Sequence, residues 1–211
     1  MPLYPLGVGR SRDVPRAAGL PMVHWTRDGE LACAWIGAPH GDFAPLEHAA
    51  ALEAIDRRLC VLPMRFGAAV DDEAELRSML QCRRDEWLDR LGRVDGACEM
   101  GVRITLPISP PPSADASSAA SSPSTYLEQR RSHYRNADAA NSLADQTVQD
   151  VVGRLQADCR DWRRLPSSSP GVVRLAFLVD RGRAEAFRRR VERSQDNCAV
   201  VGPWPPYSFV G

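Results

Sequence analysis

Val172-Val173-Arg174-Leu175-Ala176-Phe177-Leu178-Val179 is a short run of β-branched and aromatic residues with almost no polar break. Such a run reads as a strand buried on both faces, in the middle of a sheet. C-terminal to it, Ala184, Phe187 and Val191 recur three and four apart, and Arg188, Arg189, Arg190 and Arg193 fill the other positions. That spacing predicts a helix with one apolar stripe and one cationic face. Cys198 to Val201 reads as a further strand. N-terminal to it, Ala144, Val148, Val151, Leu155, Cys159 and Trp162 form one stripe. The stripe predicts a helix from Tyr126 to about Trp162, broken near residues 136–141 and ended by Pro166 and Pro170. Further back, Ala97 to Leu106 alternates and reads as a long strand. The C-terminal part is therefore expected to run strand, helix, strand, helix, strand.

The first half adds shorter pieces. Leu3 to Gly9 reads as an edge strand, because Pro5 cannot donate to a ladder on its N–H side. Val23-His24-Trp25 and Leu31 to Ile36 flank Asp28-Gly29, a hairpin turn signal. Leu52, Ile55 and Leu59 mark a helix after Pro45, and Cys60 to Gly67 reads as a strand ending in a turn. Asp71 or Asp72 can cap the next helix, whose apolar face is Leu76, Met79 or Leu80, Trp87, Leu88 and Leu91. Strands mixed with helices, plus a hairpin, place the chain in the α+β class with antiparallel or mixed sheets. Residues 107–125 are Pro, Ser and Ala with almost no charge. They predict a linker between an N-terminal α+β domain (1–106) and a C-terminal part (126–211).

The last ten residues, Gly202-Pro203-Trp204-Pro205-Pro206-Tyr207-Ser208-Phe209-Val210-Gly211, close that part. Three prolines hold the backbone extended and exclude a long helix. Trp204, Tyr207 and Phe209 allow two compatible readings: a clasp packed inward over the core, and a patch that binds a partner.

Composition removes several classes of function. The 211 residues carry 27 cationic and 27 acidic side chains, and every cation is arginine. Without lysine there is no Schiff base, no Walker-type phosphate loop and no lysine base. Residues 1–106 hold 13 arginines against 16 carboxylates and residues 107–211 hold 14 against 11. That dipole is too mild to suggest a nucleic-acid face. Six scattered cysteines (Cys33, Cys60, Cys82, Cys98, Cys159, Cys198) without C-x-x-C suggest free, mostly buried thiols in a cytosolic protein. No signal peptide and no membrane-length apolar run is visible.

Catalytic patterns are missing too. The histidines are His24, His40, His48 and His133, with no pair at i, i+4. A His24/His40/His48 metal site is weighed against ordinary surface or half-buried histidines, and the latter is the expectation. G-x-S-x-G and G-x-G-x-x-G are absent. Asp71-Asp72 reads as helix capping and Asp85-Glu86 as a solvated face. The Arg188–Arg190 run lacks the interleaved aromatics of RNA readers and reads as a solvated face. Arg65, between Met64 and Phe66 at a strand end, is expected to pair with Glu99 or Asp71, or to face a partner.

Four blocks together resemble a known family. They are Leu3-Tyr4-Pro5-Leu6-Gly7-Val8, Val61-Leu62-Pro63-Met64-Arg65-Phe66-Gly67, Tyr126-Leu127-Glu128-Gln129-Arg130-Arg131, and Ala176-Phe177-Leu178-Val179 followed by Gly202-Pro203-Trp204-Pro205-Pro206-Tyr207-Ser208-Phe209. Their order is similar to that of gas vesicle proteins of the F/L type (GvpF/GvpL), over nearly the whole chain. The resemblance implies two α+β parts with ferredoxin-like elements. It also implies a non-enzymatic accessory role in gas vesicle formation, in the cytoplasm or at the vesicle. The partners would be the small apolar shell protein and other accessory proteins, with no cofactor, metal or nucleic acid. The motif positions carried over as partner-binding candidates are Pro63, Arg65, Phe66, Gly67, Tyr126, Pro203, Trp204, Pro206, Tyr207 and Phe209. The rival expectation is a small α+β enzyme or ligand-binding module with a cleft between its halves.

Overall fold

The structure is a computed structural model that describes residues 2–17, 19–37, 45–107, 141–169, 171–194 and 197–210. Two compact units emerge. The first comprises Met1–Met100, Leu178–Ala184 and Gly202–Gly211, the second Gly101–Phe177 and Glu185–Val201. Most of the predicted linker, residues 108–125, lies outside the described residues. So do Tyr126, His40, His133 and the predicted helix break.

The first sheet is made of β1 (Leu3–Arg10), β2 (His24–Asp28), β3 (Leu31–Gly37) and β4 (Val61–Pro63), in the order β2-β3-β1-β4. Its pairs are antiparallel. The hairpin forms where Asp28-Gly29 predicts it. Asp28 pairs with Leu31, and Gly29 takes φ +54 in the turn. The expectation for β1 fails, because this strand is central and not an edge. Pro5 is tolerated there for two reasons. The β1–β3 register slips between Pro5 and Gly7. On the other side β4 pairs only Gly7, Val8 and Gly9, so no ladder bond to β4 is asked of Pro5.

Helices cover both faces of this sheet. α1 (Pro45–Asp56) packs on β1 and β4, and its Leu52 and Ile55 join Leu6, Ala34, Ile36, Leu59 and Val61 in one core cluster. α2 (Glu73–Cys82) lies against β2 and β3. There the Thr26 hydroxyl donates to Glu73 at 3.0 Å and accepts from the Trp35 indole at 2.9 Å. Two covered faces explain why Leu31 to Ile36 reads as a continuous apolar run. α3 (Arg84–Val94) buries Trp87, Leu91 and Val94. The continuous stripe from Leu76 to Leu91 reads as a single helix; the chain instead breaks at Arg83, with φ −122 and ψ 23. No glycine or proline marks the break. It is held by the Arg83 side chain, which forks onto Glu86 at 2.7 and 2.8 Å and lies 4.6 Å from the Trp87 ring centre. The predicted cap is present, with Asp72 accepting the Glu75 N–H at 2.9 Å.

The second sheet contains β5 (Ala97–Thr105), β6 (Asp161–Leu165), β7 (Val172–Asp180) and β8 (Cys198–Trp204), in the order β6-β7-β5-β8. Helix α4 covers residues 141–155 and α5 is Ala184–Ser194. Along the chain the order is β5, α4, β6, β7, α5, β8. With β7 inserted between β5 and β6, this antiparallel arrangement is the split βαβ of ferredoxin-like folds. The α+β expectation holds, and β7 is central as its composition predicts. One strand escapes the sequence reading. The stripe to Trp162 runs on past the helix, which ends at residue 155 and gives way to a short 3-10 turn, Gln156–Asp158, and then to β6. Asp161-Trp162-Arg163-Arg164-Leu165 lies at the sheet edge and is largely exposed. It therefore shows no inward alternation to announce a strand, and its charges suit an edge. In the second unit Phe177 of β7 meets Phe187 of α5 with ring centres 5.3 Å apart.

A Cβ on Gly7 would lie 2.6 Å from Val61 Cγ2 and 2.7 Å from the Leu62 carbonyl oxygen. Gly7→Ala is expected to cost about 1–3 kcal/mol by overpacking. Around Gly92, within α3, a Cβ meets nothing within 4 Å. Gly92→Ala is expected to stabilise by up to about 1 kcal/mol through helix propensity. Urea midpoints of the two variants should move in opposite directions.

Candidate functional site

The C-terminal segment belongs to the first unit. β8 continues through Gly202, Pro203 and Trp204, further than the Cys198–Val201 strand predicted. Gly202 has φ +108, and a Cβ there would sit 2.7 Å from the Glu99 carbonyl oxygen. No other residue fits this approach. Pro205 and Pro206 are buried, and Tyr207–Phe209 forms one 3-10 turn. Glu99, only 4% exposed, anchors that turn. Its Oε2 accepts the Ser208 N–H at 2.7 Å and its Oε1 accepts the Ser208 hydroxyl at 2.8 Å. The Arg90 guanidinium donates to the Val210 carbonyl.

The clasp reading and the patch reading divide the three aromatics between them. Phe209 points inward at 7% exposure, whereas Trp204 and Tyr207 stay out at 39% and 43%. Inward packing of Trp204 and Tyr207 is thus corrected: the turn that buries Phe209 leaves both half in solvent. Burial and the negative field of Glu53, Asp56 and Glu99 raise the Tyr207 hydroxyl above its ordinary pKa. The phenol therefore stays neutral.

The 63–67 block lies in the same unit. Pro63 is buried at the end of β4, opposite Gly7. Gly67 takes φ +86, which favours glycine. Arg65 is exposed and makes no ion pair among the described residues, so pairing with Glu99 or Asp71 does not occur. Glu99 is occupied by Ser208 instead. Phe66 is 45% exposed and meets the buried His48 of α1 edge-on, with ring centres 5.6 Å apart. Burial lowers the His48 pKa, against a hydrogen bond from the imidazole to the Pro5 carbonyl.

α1 thus contacts the first motif block and lies within electrostatic reach of the second. His48, in its first half, carries Phe66; Glu53 and Asp56, in its second half, act on Tyr207. Its outer side begins with Leu46, which is 82% exposed, and continues through the exposed Ala50. Asp56 itself is buried and ion-paired to Arg181 at 2.8 Å. Burial raises its carboxyl, and Arg181 partly offsets this.

Among the described residues the geometry gathers no metal-ligating cluster: no three His, Cys, Asp or Glu side chains are placed to hold a metal ion. His24 stacks on Trp35 at 4.6 Å. All six cysteines are free; Cys33 and Cys98 are buried, Cys82 is exposed, and the others are half-buried. Burial pushes the Cys33 and Cys60 thiols up to about 12, so neither supplies a thiolate near neutral pH. No helix among the described residues is long and apolar enough to cross a membrane.

The anchor at Glu99 is the functional detail that sequence reasoning missed. The available signal was a carboxylate inside the otherwise apolar run Ala97 to Val102, which needs a buried partner. Glu99→Ala is expected to cost about 1–3 kcal/mol, because the Ser208 donors lose their acceptor. Arg65→Ala is expected to shift the melting temperature little, as exposed charges contribute under about 1 kcal/mol. Thermal melts of the two variants check the difference.

Comparison with known proteins agrees with this architecture. The sequence pattern of "Gas vesicle synthesis protein GvpL/GvpF" matches residues 22–211. The chain is 28% identical to "Gas vesicle protein L" of Streptomyces sp. (strain CB03234) over 217 residues, spanning 88% of this chain and 82% of the relative. It is 30% identical to "Gas vesicle protein F" of the same strain over 166 residues, spanning 71% of this chain and 70% of the relative. The crystal structure of gas vesicle protein GvpF from Anabaena sp. PCC7120 superposes with a TM-score of 0.76 at 16% identity, covering 100% of this chain and 96% of that one. That of GvpF from Microcystis aeruginosa gives 0.73 at 13% identity, covering 100% and 99%. At such identities the two structures speak for the fold alone. The matched span, the sequence relatives and the motif blocks together establish that this chain belongs to the gas vesicle synthesis protein GvpL/GvpF family.

Proposed function

We propose that this chain is a non-enzymatic accessory protein of gas vesicle formation, acting in the cytoplasm and at the vesicle. It holds the small apolar shell protein, and it works alongside other accessory proteins. The observation that carries this reading is the set of large apolar side chains left in solvent by the first unit. Leu46 on α1, Phe66 beside it, and Trp204 and Tyr207 of the C-terminal segment are all more than a third exposed. Each sits on a defined support: Leu46 on a helix, Phe66 against a buried histidine, Trp204 at the end of β8, and Tyr207 in the turn tied to Glu99. Aromatic and aliphatic groups presented this way suit an apolar partner, whose burial contributes about 25 cal/mol per Å². The exposed Arg65 precedes Phe66 and supplies a polar rim to the proposed surface, and the exposed Pro203 extends its apolar area beside Trp204. Pro63, Pro206 and Phe209 are buried and hold the surface in shape.

Co-expression of the tagged chain with the shell subunit, followed by capture, tests the reading. The wild-type chain is expected to retain the subunit. Leu46→Ser combined with Phe66→Ser is expected to lower capture by about tenfold or more, the loss expected when two anchors are removed, at an unchanged melting temperature. Leu143→Ser combined with Trp162→Ser, exposed positions of the second unit, is expected to leave capture unchanged. Equal capture by all three proteins overturns the assignment of the surface, and no capture by the wild type overturns the partner.

A further inference from the structure

A second feature of the first unit points to a partner of different chemistry. At the hairpin end of the first sheet lies an open hollow of about 470 Å³. Arg10 at the end of β1, Arg12 in the following 3-10 turn (Ser11–Ala17) and Arg27 on β2 line it, together with Ser11, Pro15 and Glu30. The Ser11 N–H donates to the Glu30 carbonyl at 2.8 Å and fixes the turn against the hairpin. The Glu30 carboxylate is taken by Arg84. Among the described residues no carboxylate pairs with Arg10, Arg12 or Arg27, although Arg16 nearby in sequence is paired with Asp13 at 3.2 Å. The cationic stripe on α5 contrasts with this. There Arg190 is paired to Asp158 at 2.8 Å and Arg189 to Glu185 at 3.4 Å.

We propose that this hollow docks an acidic segment of a partner protein, with carboxylates entering the forks of Arg10, Arg12 and Arg27. A guanidinium fork matches a carboxylate bidentately, and arginine is less strongly hydrated than lysine, so it gives up water to a partner more readily. Three forks on three separate elements suit several carboxylates spaced along a chain better than one compact anion. The hollow is open, and Pro15 offers an apolar wall for the backbone of such a segment. The contact is independent of the apolar surface around α1.

Fluorescence anisotropy of a labelled hexaglutamate peptide with the full chain tests the proposal. Wild type is expected to bind in a salt-sensitive manner. Arg12→Ala with Arg27→Ala, two exposed positions, is expected to weaken binding by about tenfold or more, as loss of two charge-assisted contacts implies. Arg12→Gln with Arg27→Gln gives the same comparison should the alanine pair lower the melting temperature. Arg189→Ala with Arg193→Ala on α5 is expected to leave binding unchanged. Equal weakening by the two pairs overturns the site in favour of general cationic attraction. No binding at millimolar peptide overturns it as well. Tripolyphosphate that binds where hexaglutamate does not compete overturns the peptide assignment and leaves a small-anion site.

Discussion

A carboxylate taken out of water must find hydrogen-bond donors or give up its charge. Glu99 meets that demand with two donors from a single residue, the N–H and the hydroxyl of Ser208. The path of the C-terminal segment follows from it. Once Ser208 is fixed, Phe209 is driven into the core, Pro205 and Pro206 are buried before it in the chain, and the Val210 carbonyl comes within reach of Arg90. Trp204 and Tyr207 are left outward because the same turn cannot bury every aromatic. A polar contact in the interior thus decides which apolar groups the surface displays.

α1 is the second organising element. Leu52 and Ile55 point inward, while Leu46 and Ala50 lie outward among the carboxylates Glu47 and Glu53. A helix buried on one side only needs one apolar stripe, so an outward Leu46 is a choice about the surface and not about the core. The Asp56–Arg181 pair fixes the far end of this helix to residue 181. Arg181 also donates to the Ala97 carbonyl at 3.2 Å. Such a pair adds little to stability compared with an apolar replacement, yet it defines where the helix end sits. Position is what a surface for a partner requires.

Much of this was legible in the chain. The hairpin at Gly29, the Asp72 cap, the buried run Val172 to Val179 and the stripe Ala184, Phe187, Val191 all have local causes, namely turn geometry, capping and periodicity. What escaped depends on neighbours distant in sequence. Strand β6 is exposed at a sheet edge, so no core face imprints alternation on it. Pro5 marks an edge strand only if both sides of the strand are fully paired, and the shortness of β4 removes that condition. Arg65 reads as pairing with Glu99 or Asp71 or as facing a partner; Glu99 is instead satisfied by Ser208, 109 positions away, a contact that no local pattern announces. The break at Arg83 rests on side-chain stacking that no backbone-breaking residue announces. The candidate surface was readable as residue types, Phe66, Trp204 and Tyr207. Which of them face solvent was not readable, because a single turn decides it.

The first unit is discontinuous in sequence: its last pieces, Leu178–Ala184 and Gly202–Gly211, are made after most of the second. During synthesis a ribosome that has released residues 1–100 has therefore not released a finished fold. Glu99 waits for Ser208 until most of the second unit has been made, and Asp56 waits in the same way for Arg181. Vectorial folding of the amino-terminal part is denied to this chain, although domains commonly fold in that order as they emerge. The timing of maturation is thus written into the connectivity: the first unit can close only after Ser208 has been made.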